Sequence, residues 1–245
     1  MSICRGLELI QSQWLANAAG QFGEADVVAL MGQMLAQIEH NWLTSPRYLV
    51  GKRPSQENWR LEKRLYLAPH NTSPEKTLEK AIACLTDWSN QVPTASGLFD
   101  QHSDKLRNID LVRQTGSSSY DCVELKVGSN TPIDAALEAL TYAVLYLHAR
   151  QTYTDSERAS KALLEATSIQ WMVLAPTRYY LGDRRYLDLG DKISESLSSV
   201  AQSLNMPCRM TFGYWAFPEE FEWPCEASEL ERLLGQVFPL RRERS

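Results

Sequence analysis

The sequence has no excess of positive charge, no paired cysteine motif and no long hydrophobic run. Its 25 lysines and arginines are outnumbered by 30 aspartates and glutamates, and the formal net charge is −5. A chain of this charge does not coat nucleic acid by bulk attraction, although a locally basic cleft is compatible with it. The hydrophobic share of 44% and the charged share of 22% exclude an intrinsically disordered chain.

The five cysteines are scattered and form no C-x-x-C pair, so the sequence predicts neither a zinc site nor a disulfide framework. The most apolar stretch, residues 135–148, is too short to cross a bilayer and contains Glu138. The first 14 residues lack the apolar core of a signal peptide. We therefore expect a cytoplasmic protein with reduced thiols and no membrane contact.

Hydrophobic spacing predicts how the chain is divided. Apolar residues recur at helical intervals through the first 45 residues, and Gly20 and Gly23 separate them into two helices. A connection rich in proline and charge follows. We place a boundary near residue 65, between an N-terminal helical region (1–65) and a second domain (66–245).

The second domain alternates helices with strands. Ser73 and Pro74 are typical of a helix start, as are Thr131 and Pro132. Between these two helices, residues 106–112 and 121–127 alternate between apolar and polar side chains, as strands do. Further along, the pattern predicts a strand at 169–175, a polar loop with Arg178, Arg184 and Arg185, a helix at about 192–204, a strand at 209–217 and a helix near 229–238. This order predicts an α/β fold in which helices flank a mixed central sheet.

The two strands bring three charged side chains to one face. If their connection is symmetric about Ser117, Asp110 lies directly opposite Glu124, with Cβ atoms about 4.5–5.5 Å apart. Two facing carboxylates destabilise a hairpin unless one of them is protonated, and a hard cation such as Mg²⁺ removes the conflict. Lys126 points to the same face, where it can hold a water molecule or balance charge.

This arrangement resembles the PD-(D/E)XK nuclease superfamily, whose small repair and mismatch nucleases carry G-x-I-D-L, V-E-L-K and D-A-x-x-Q-x-x-x-Y. The resemblance covers roughly residues 65–217. The counterparts are Asn108-Ile109-Asp110-Leu111, Val123-Glu124-Leu125-Lys126, and Asp134-Ala135 continuing to Glu138 and Tyr142. The chain departs from the pattern at Glu138, where many relatives have glutamine, and at Asn108, where they have glycine.

The resemblance implies a restriction-endonuclease-like fold with an N-terminal helical extension, and a Mg²⁺-dependent nuclease that prefers DNA. Asp110, Glu124 and the carbonyl of Leu125 would bind Mg²⁺, or Mn²⁺ in its place, and Lys126 would activate water for attack on a phosphodiester. The superfamily often adds a glutamate from the first helix. Glu75 lies about 60° from the centre of the apolar stripe and Glu79 about 100°, so we prefer Glu75.

Other candidate residues surround this motif. Glu79, Glu138 and Tyr142 are accessory candidates, although first-turn charge, an exposed helical glutamate and core packing explain them as well. The four histidines show no metal spacing. Phosphate contacts are expected from basic residues that a solvated surface would also explain: Lys52, Arg53, Arg60, Lys63, Arg64, Arg178, Arg184 and Arg185.

Three alternatives stay open. Glu124 and Lys126 on a strand are also typical of a solvent-exposed sheet face. The domain could have lost catalysis and act as a binding or regulatory module, whose N-terminal helices dock a partner protein or a second copy of the chain. The chain could also be an unrelated α/β protein with a chance E-x-K sequence.

Overall fold

Residues 2–18, 21–45, 55–66, 72–96, 107–182 and 184–241 are described by the computed structural model. The helices in these ranges are α1 (Leu7–Ala18), α2 (Glu24–Leu43), α3 (Pro74–Leu85), α4 (Pro132–Thr152), α5 (Asp155–Ala159), α6 (Arg185–Ser203) and α7 (Ala227–Leu234). The strands are β1 (Ser89–Pro93), β2 (Asn108–Gly116), β3 (Ser119–Leu125), β4 (Ser168–Pro176), β5 (Arg209–Phe217) and β6 (Phe238–Leu240). Short 3₁₀ helices cover Ala162–Glu165 and Thr177–Tyr180.

The strands form one mixed sheet in the order β1-β2-β3-β4-β5-β6. The first three are antiparallel, β3, β4 and β5 are parallel, and β6 is antiparallel to β5. Parallel neighbours need long crossovers, which α4 and α6 provide. The predicted α/β class, with helices flanking a mixed sheet, is confirmed.

Helices cover both faces of the sheet. The larger apolar cluster joins α1, α2, α4 and α6 to one face, where the sheet contributes Val112, Cys122 and Trp171. A smaller cluster joins α3 and α7 to the other face at Leu111, Val123 and other strand residues. Because the central strands are buried on both sides, β4 is buried continuously over its second half instead of alternating.

The N-terminal helices share this core with the sheet. Val27, Met31 and Met34 of α2 are fully buried in the larger cluster. The Gln11 side-chain amide of α1 donates to the Leu137 carbonyl at 3.1 Å, which fixes α1 to α4. The boundary near residue 65 stays a prediction, since residues 46–54 and 67–71 lie outside the described ranges.

The predicted starts of α3 and α4 are confirmed, and both helices have the capping residues that the sequence indicated. The Ser73 side chain accepts from the Lys76 N–H, and Pro74 opens α3. Thr131 and Asp134 form a reciprocal capping box at the start of α4. These caps fix the helices on either side of the β2–β3 hairpin.

Several element boundaries differ from the prediction. Strand β2 continues to Gly116, and β3 ends at Leu125, so that Lys126 directly follows the strand. Helix α6 begins at Arg185, seven residues early, because Tyr186, Leu187 and Leu189 already pack into the core. Arg185 is therefore helical and not in the loop. The last helix ends at Leu234, and residues near 238 form strand β6 instead. Strand β1 was missed because its sequence, SNQVP, is polar and does not alternate.

None of the described helices combines the length and the hydropathy needed to cross a membrane.

The contact between α6 and β5 gives a test of this packing. A Cβ atom on Gly190 would lie 2.7 Å from Cε2 of the Tyr214 ring, whereas a Cβ on the exposed Gly32 of α2 would meet nothing within 4 Å. We expect Gly190→Ala to lower the free energy of unfolding by about 1–3 kcal/mol through overpacking. Gly32→Ala should raise it by about 0.5–1 kcal/mol, because alanine favours the helix.

Urea unfolding of both variants measures these changes. A Gly190→Ala protein as stable as the wild type would contradict the close packing of α6 on β5.

Candidate functional site

The β2–β3 hairpin has the register that the sequence predicted. Leu111 pairs with Val123 and Val112 with Cys122, so the same register places Asp110 opposite Glu124. An irregularity between Gln114 and Gly116 is confined to the turn end of the hairpin. At the other end, Oδ2 of Asp110 accepts the Leu125 N–H at 2.9 Å. Asp110 thus lies against the segment that carries Glu124 and Lys126.

Glu124 and Lys126 are buried, with 6% and 7% of their surfaces exposed. The Lys126 ammonium is 2.7 Å from Oε1 of Glu124 and 2.5 Å from Oε2 of Glu138 on α4. The interpretation of Glu124 and Lys126 as a solvent-exposed strand face is wrong, because helices cover both faces of the sheet. One cation therefore lies between a buried carboxylate, that of Glu124, and a partly exposed one, that of Glu138.

The acidic groups outnumber the cation that neutralises them. Oε2 of Glu124 is buried and has no hydrogen-bond partner within the described ranges. Burial raises the pKa of Glu124 well above its usual range, and the charge of Asp110 adds to this effect against the opposing charge of Lys126. Burial also raises the pKa of Asp110 to about 6, although the Leu125 N–H and Lys126 oppose it. The cluster has the oxygen donors and the unbalanced negative charge that a hard divalent cation prefers.

Helix α3 adds a further buried carboxylate, Glu79, which is 3% exposed. Its two oxygens accept from the side-chain amides of Asn90 at 2.7 Å and Gln91 at 2.6 Å. Burial and the charge of Asp110 raise the pKa of Glu79 to about 8, against the lowering effect of both amides. Glu79 is therefore part of the same electrostatic cluster as Asp110.

Glu75, the preferred helix candidate, has different contacts. Its carboxylate accepts the Val127 N–H at 3.3 Å and bonds with the hydroxyl of Ser73. Burial acts to raise the pKa of Glu75, but its own backbone N–H, Ser129 and these partners lower it overall. Of the two glutamates, Glu79 is the one on which the charge of Asp110 acts.

Gln91 was missed by the sequence analysis, together with strand β1. The β1–β2 register pairs Asn90 with Leu111 and Val92 with Ile109, which leaves Gln91 opposite Asp110. Its φ of +49° is uncommon for a residue other than glycine. The side chain donates to Glu79 and accepts from the Asn108 amide at 3.2 Å, so it links α3 to β2. Strained backbone of this kind is concentrated at functional sites.

Asn130 and Tyr179, which the sequence did not indicate as site residues, hold the oxygen of Glu138 that does not contact Lys126. The Asn130 amide donates to Oε1 of Glu138 at 3.1 Å, and the Tyr179 hydroxyl donates to Oδ1 of Asn130 at 2.9 Å. Asn130 also has a positive φ, +50°. Lys126, Glu138, Asn130 and Tyr179 thus form one continuous chain of polar contacts. In the sequence, this chain of contacts was indicated only by Glu138, which stands at a position of the nuclease motif.

The structure places the basic candidates in two groups. Arg60 and Arg64 pair with Glu57 at 3.7 and 3.4 Å, and Lys63 donates to the Thr86 carbonyl. The Arg64 N–H donates to Oδ1 of Asn90 at 2.6 Å, so this segment lies beside the amide that contacts Glu79.

The other basic group follows β4. Arg178 donates to the Phe221 carbonyl at 3.2 Å, and Arg184 and Arg185 are exposed at the start of α6. Since β3 and β4 are parallel, Lys126 and this group lie at the same edge of the sheet. Lys52 and Arg53 lie outside the described residues, as do His70 and His102.

Two further side chains complete the surroundings. Arg107, which precedes β2, lies with Nη2 3.3 Å from Oε1 of Glu8 on α1 and was not among the predicted residues. Tyr142 lies one helical turn beyond Glu138 and is only partly buried. Burial raises the pKa of Tyr142, and the charges of Glu124 and Asp110 add to this shift.

Within the described part of the chain, no three histidine, cysteine, aspartate or glutamate side chains converge in a metal-binding arrangement. Lys126 lies between Glu124 and Glu138, and Asp110 accepts the Leu125 N–H, so these partners engage one oxygen of each carboxylate that they contact and leave Oε2 of Glu124 without a partner in the described ranges.

The raised pKa of Glu79 predicts how stability varies with pH. A carboxyl group whose pKa rises from 4.5 to about 8 on folding stabilises the protein fully below pH 4.5, and this contribution is lost as the pH rises to about 8. We therefore expect the free energy of unfolding of the wild type to fall as the pH rises over this range. In EDTA, Glu79→Gln should make this fall less steep, by up to about 1.4 kcal/mol per pH unit. Urea unfolding at several pH values measures the slope.

Glu75→Gln is the matched control from the same helix. Its pKa is lowered, so its contribution is lost as the pH falls and does not alter the slope between pH 5 and 8. Equal slopes for the wild type and Glu79→Gln would show that Glu79 is ionised in the folded protein at neutral pH.

Comparison of the chain with models of protein families, with curated proteins and with solved structures found no significant match in any of the three.

Proposed function

We propose that the chain is a divalent-cation-dependent nuclease that hydrolyses phosphodiester bonds in nucleic acid, with DNA as the preferred substrate, and that its sheet is a restriction-endonuclease-like core. The observation that carries this proposal is the cluster of the partly buried Asp110 with the buried Glu124 and Lys126, in which Oε2 of Glu124 has no hydrogen-bond partner in the described ranges. A buried carboxylate oxygen without a donor is costly unless a cation or a water molecule satisfies it.

The residues fit Mg²⁺, or Mn²⁺ in its place, in the chemistry of their donor atoms. Asp110, Glu124 and the Leu125 carbonyl would hold the ion, with Glu79 as the carboxylate from α3. All four ligands are oxygens, as Mg²⁺ prefers. When bound, the ion offsets charge on the phosphate and lowers the pKa of a coordinated water molecule.

Lys126 is the residue that we expect to act on the reacting groups. Its ammonium has three donors, of which Glu124 and Glu138 engage two, so one can be directed at water or at a phosphate oxygen. Glu138 holds the ammonium in place, and Asn130 and Tyr179 hold Glu138. The two basic groups, Arg60, Lys63 and Arg64, and Arg178, Arg184 and Arg185, would contact the phosphate backbone.

The two ion pairs of Lys126 favour a second function, that of a binding module. Both carboxylates beside its ammonium already pair with it, which suits a domain that has lost catalysis and binds a partner. That module would dock a partner protein or a second copy through the N-terminal helices, where Leu9 of α1 is 61% exposed. The cytoplasmic location stays a prediction.

Cleavage assays with Mg²⁺ and Mn²⁺ test the nuclease. We expect the wild type to cut DNA, and Asp110→Ala, Glu124→Ala and Lys126→Ala each to reduce the rate by at least about a hundredfold. Lys192→Ala is the matched control for the lysine, since Lys192 pairs with Glu195 on the surface of α6. Circular dichroism verifies the folding of each variant.

Thermal unfolding separates the two functions. An ion that binds the folded state raises the unfolding temperature, so we expect Mn²⁺ to stabilise the wild type and not Asp110→Ala. No cleavage of DNA or RNA by the folded wild type, together with no response to Mn²⁺, would favour the binding module instead.

The contact of Tyr179 predicts a smaller kinetic effect. Tyr179→Phe removes the hydroxyl that orients Asn130, and through it Glu138 and Lys126. We expect kcat to fall about 3–10-fold while KM is unchanged, because in this proposal Tyr179 acts on Lys126 through Asn130 and Glu138 and has no role in binding the substrate. Tyr153→Phe is the control, since its hydroxyl bonds with an asparagine, Asn58, away from Lys126. Equal losses in both variants would point to a general loss of packing.

A further inference from the structure

A narrow cleft opens between α1 and α4, beside the cluster of Asp110, Glu124 and Lys126. Its volume is about 240 Å³. The apolar part of its lining is formed by Leu7, Leu15 and Leu137, and the polar part includes Arg107, Glu138 and Tyr142. The cleft thus combines an apolar surface with one basic and one aromatic side chain.

The cleft is continuous with the proposed catalytic cluster. Glu138 lines the cleft and also pairs with Lys126 at 2.5 Å. Tyr142 lines it as well, close enough to Glu124 and Asp110 for their charges to act on its hydroxyl. A nucleotide next to a phosphate at Asp110 and Glu124 would therefore lie in this cleft.

The charges of the cleft suit a phosphate at Arg107. Of the three acidic side chains that line the cleft, Asp134 is engaged in the α4 capping box, Glu138 pairs with Lys126 and Glu8 pairs with Arg107. The partner of Arg107 is Glu8, whose side chain is 85% exposed. Exposed ion pairs are weak, whereas arginine binds phosphate through two charge-assisted hydrogen bonds. A phosphate can thus replace Glu8 as the partner of Arg107.

The dimensions of the cleft select an unpaired nucleotide. Gln11 of α1 donates to the Leu137 carbonyl at 3.1 Å and to the Thr141 hydroxyl at 2.9 Å, which fixes the wall that α1 forms. In a duplex the bases are paired and stacked inside the double helix, so a base can enter a cleft of this volume only where it is unpaired or extruded. Unpaired bases are bound by stacking on aromatic side chains and by apolar contact, which Tyr142 and the leucines offer.

We propose that this cleft binds one unpaired nucleotide beside the scissile phosphate, with Arg107 on its phosphate, so that the substrate is single-stranded nucleic acid or an unpaired end. This inference rests on the proposed nuclease function and assigns its substrate class.

Fluorescence anisotropy of the full chain tests the cleft without cleavage. The probes are a short labelled single-stranded DNA, the same sequence as RNA, and the same DNA as a blunt duplex, each in EDTA at low ionic strength. We expect either single strand to bind at least about tenfold more tightly than the duplex, and Arg107→Ala to weaken single-strand binding about tenfold. Arg209→Ala is the matched control, an exposed arginine at the start of β5, and should bind as the wild type does.

A second variant is expected to change the affinity for single-stranded DNA in the opposite direction. Glu8→Ala removes the exposed partner of Arg107, so single-strand binding should tighten severalfold, and the substitution removes no buried contact of Glu8. Binding that is equal in the wild type, Arg107→Ala and Glu8→Ala, or a preference for the duplex, would overturn the cleft assignment. Single-strand binding that depends on Arg107, in a protein that cuts no nucleic acid with Mg²⁺ or Mn²⁺, supports the cleft and contradicts the nuclease.

Discussion

One ammonium group, that of Lys126, neutralises the acidic cluster on which the proposed site depends. It pairs with Glu124 and Glu138, while Asp110 accepts a single backbone N–H, and a second oxygen of Glu124 has no partner among the described residues. Taking charges out of water is expensive, and removing one partner of a buried pair costs far more than an exposed pair contributes. The surrounding elements therefore have to hold each of these groups in place.

Each neighbouring element contributes one restraint to the cluster. The hairpin register sets Asp110 against Glu124, α4 supplies Glu138, and α3 supplies Glu79, which the amides of β1 hold. These restraints require an unfavourable backbone conformation at two residues: Gln91 and Asn130, which contact the acidic side chains, both have positive φ. Residues in such conformations persist only where the surrounding structure determines them strongly. The polar cluster and the fold are thus mutually dependent.

The hairpin and its helices were predictable because their signals are local. Alternation, a symmetric turn and two capping residues determine the register of Asp110 and Glu124 and the starts of α3 and α4. The burial of Glu124 and Lys126 was not predictable, since it depends on how α4 and the N-terminal helices pack on that face of the sheet. Strand β1 has no alternation, so Asn90 and Gln91 gave no signal. Arg107 was missed for a similar reason, as its contact with Glu8 joins residues 99 positions apart.

The order of the strands in the sheet is also their order along the chain. No strand has to insert between two neighbours that are already paired, and the sheet gains each new member at an open edge. Protein synthesis proceeds from the N-terminus, so the hairpin with Asp110 and Glu124 leaves the ribosome before the parallel strands that later flank it. The pairing of Asp110 with Glu124 therefore depends only on a hairpin of neighbouring residues, and β3 gains its second neighbour through the parallel pairing with β4.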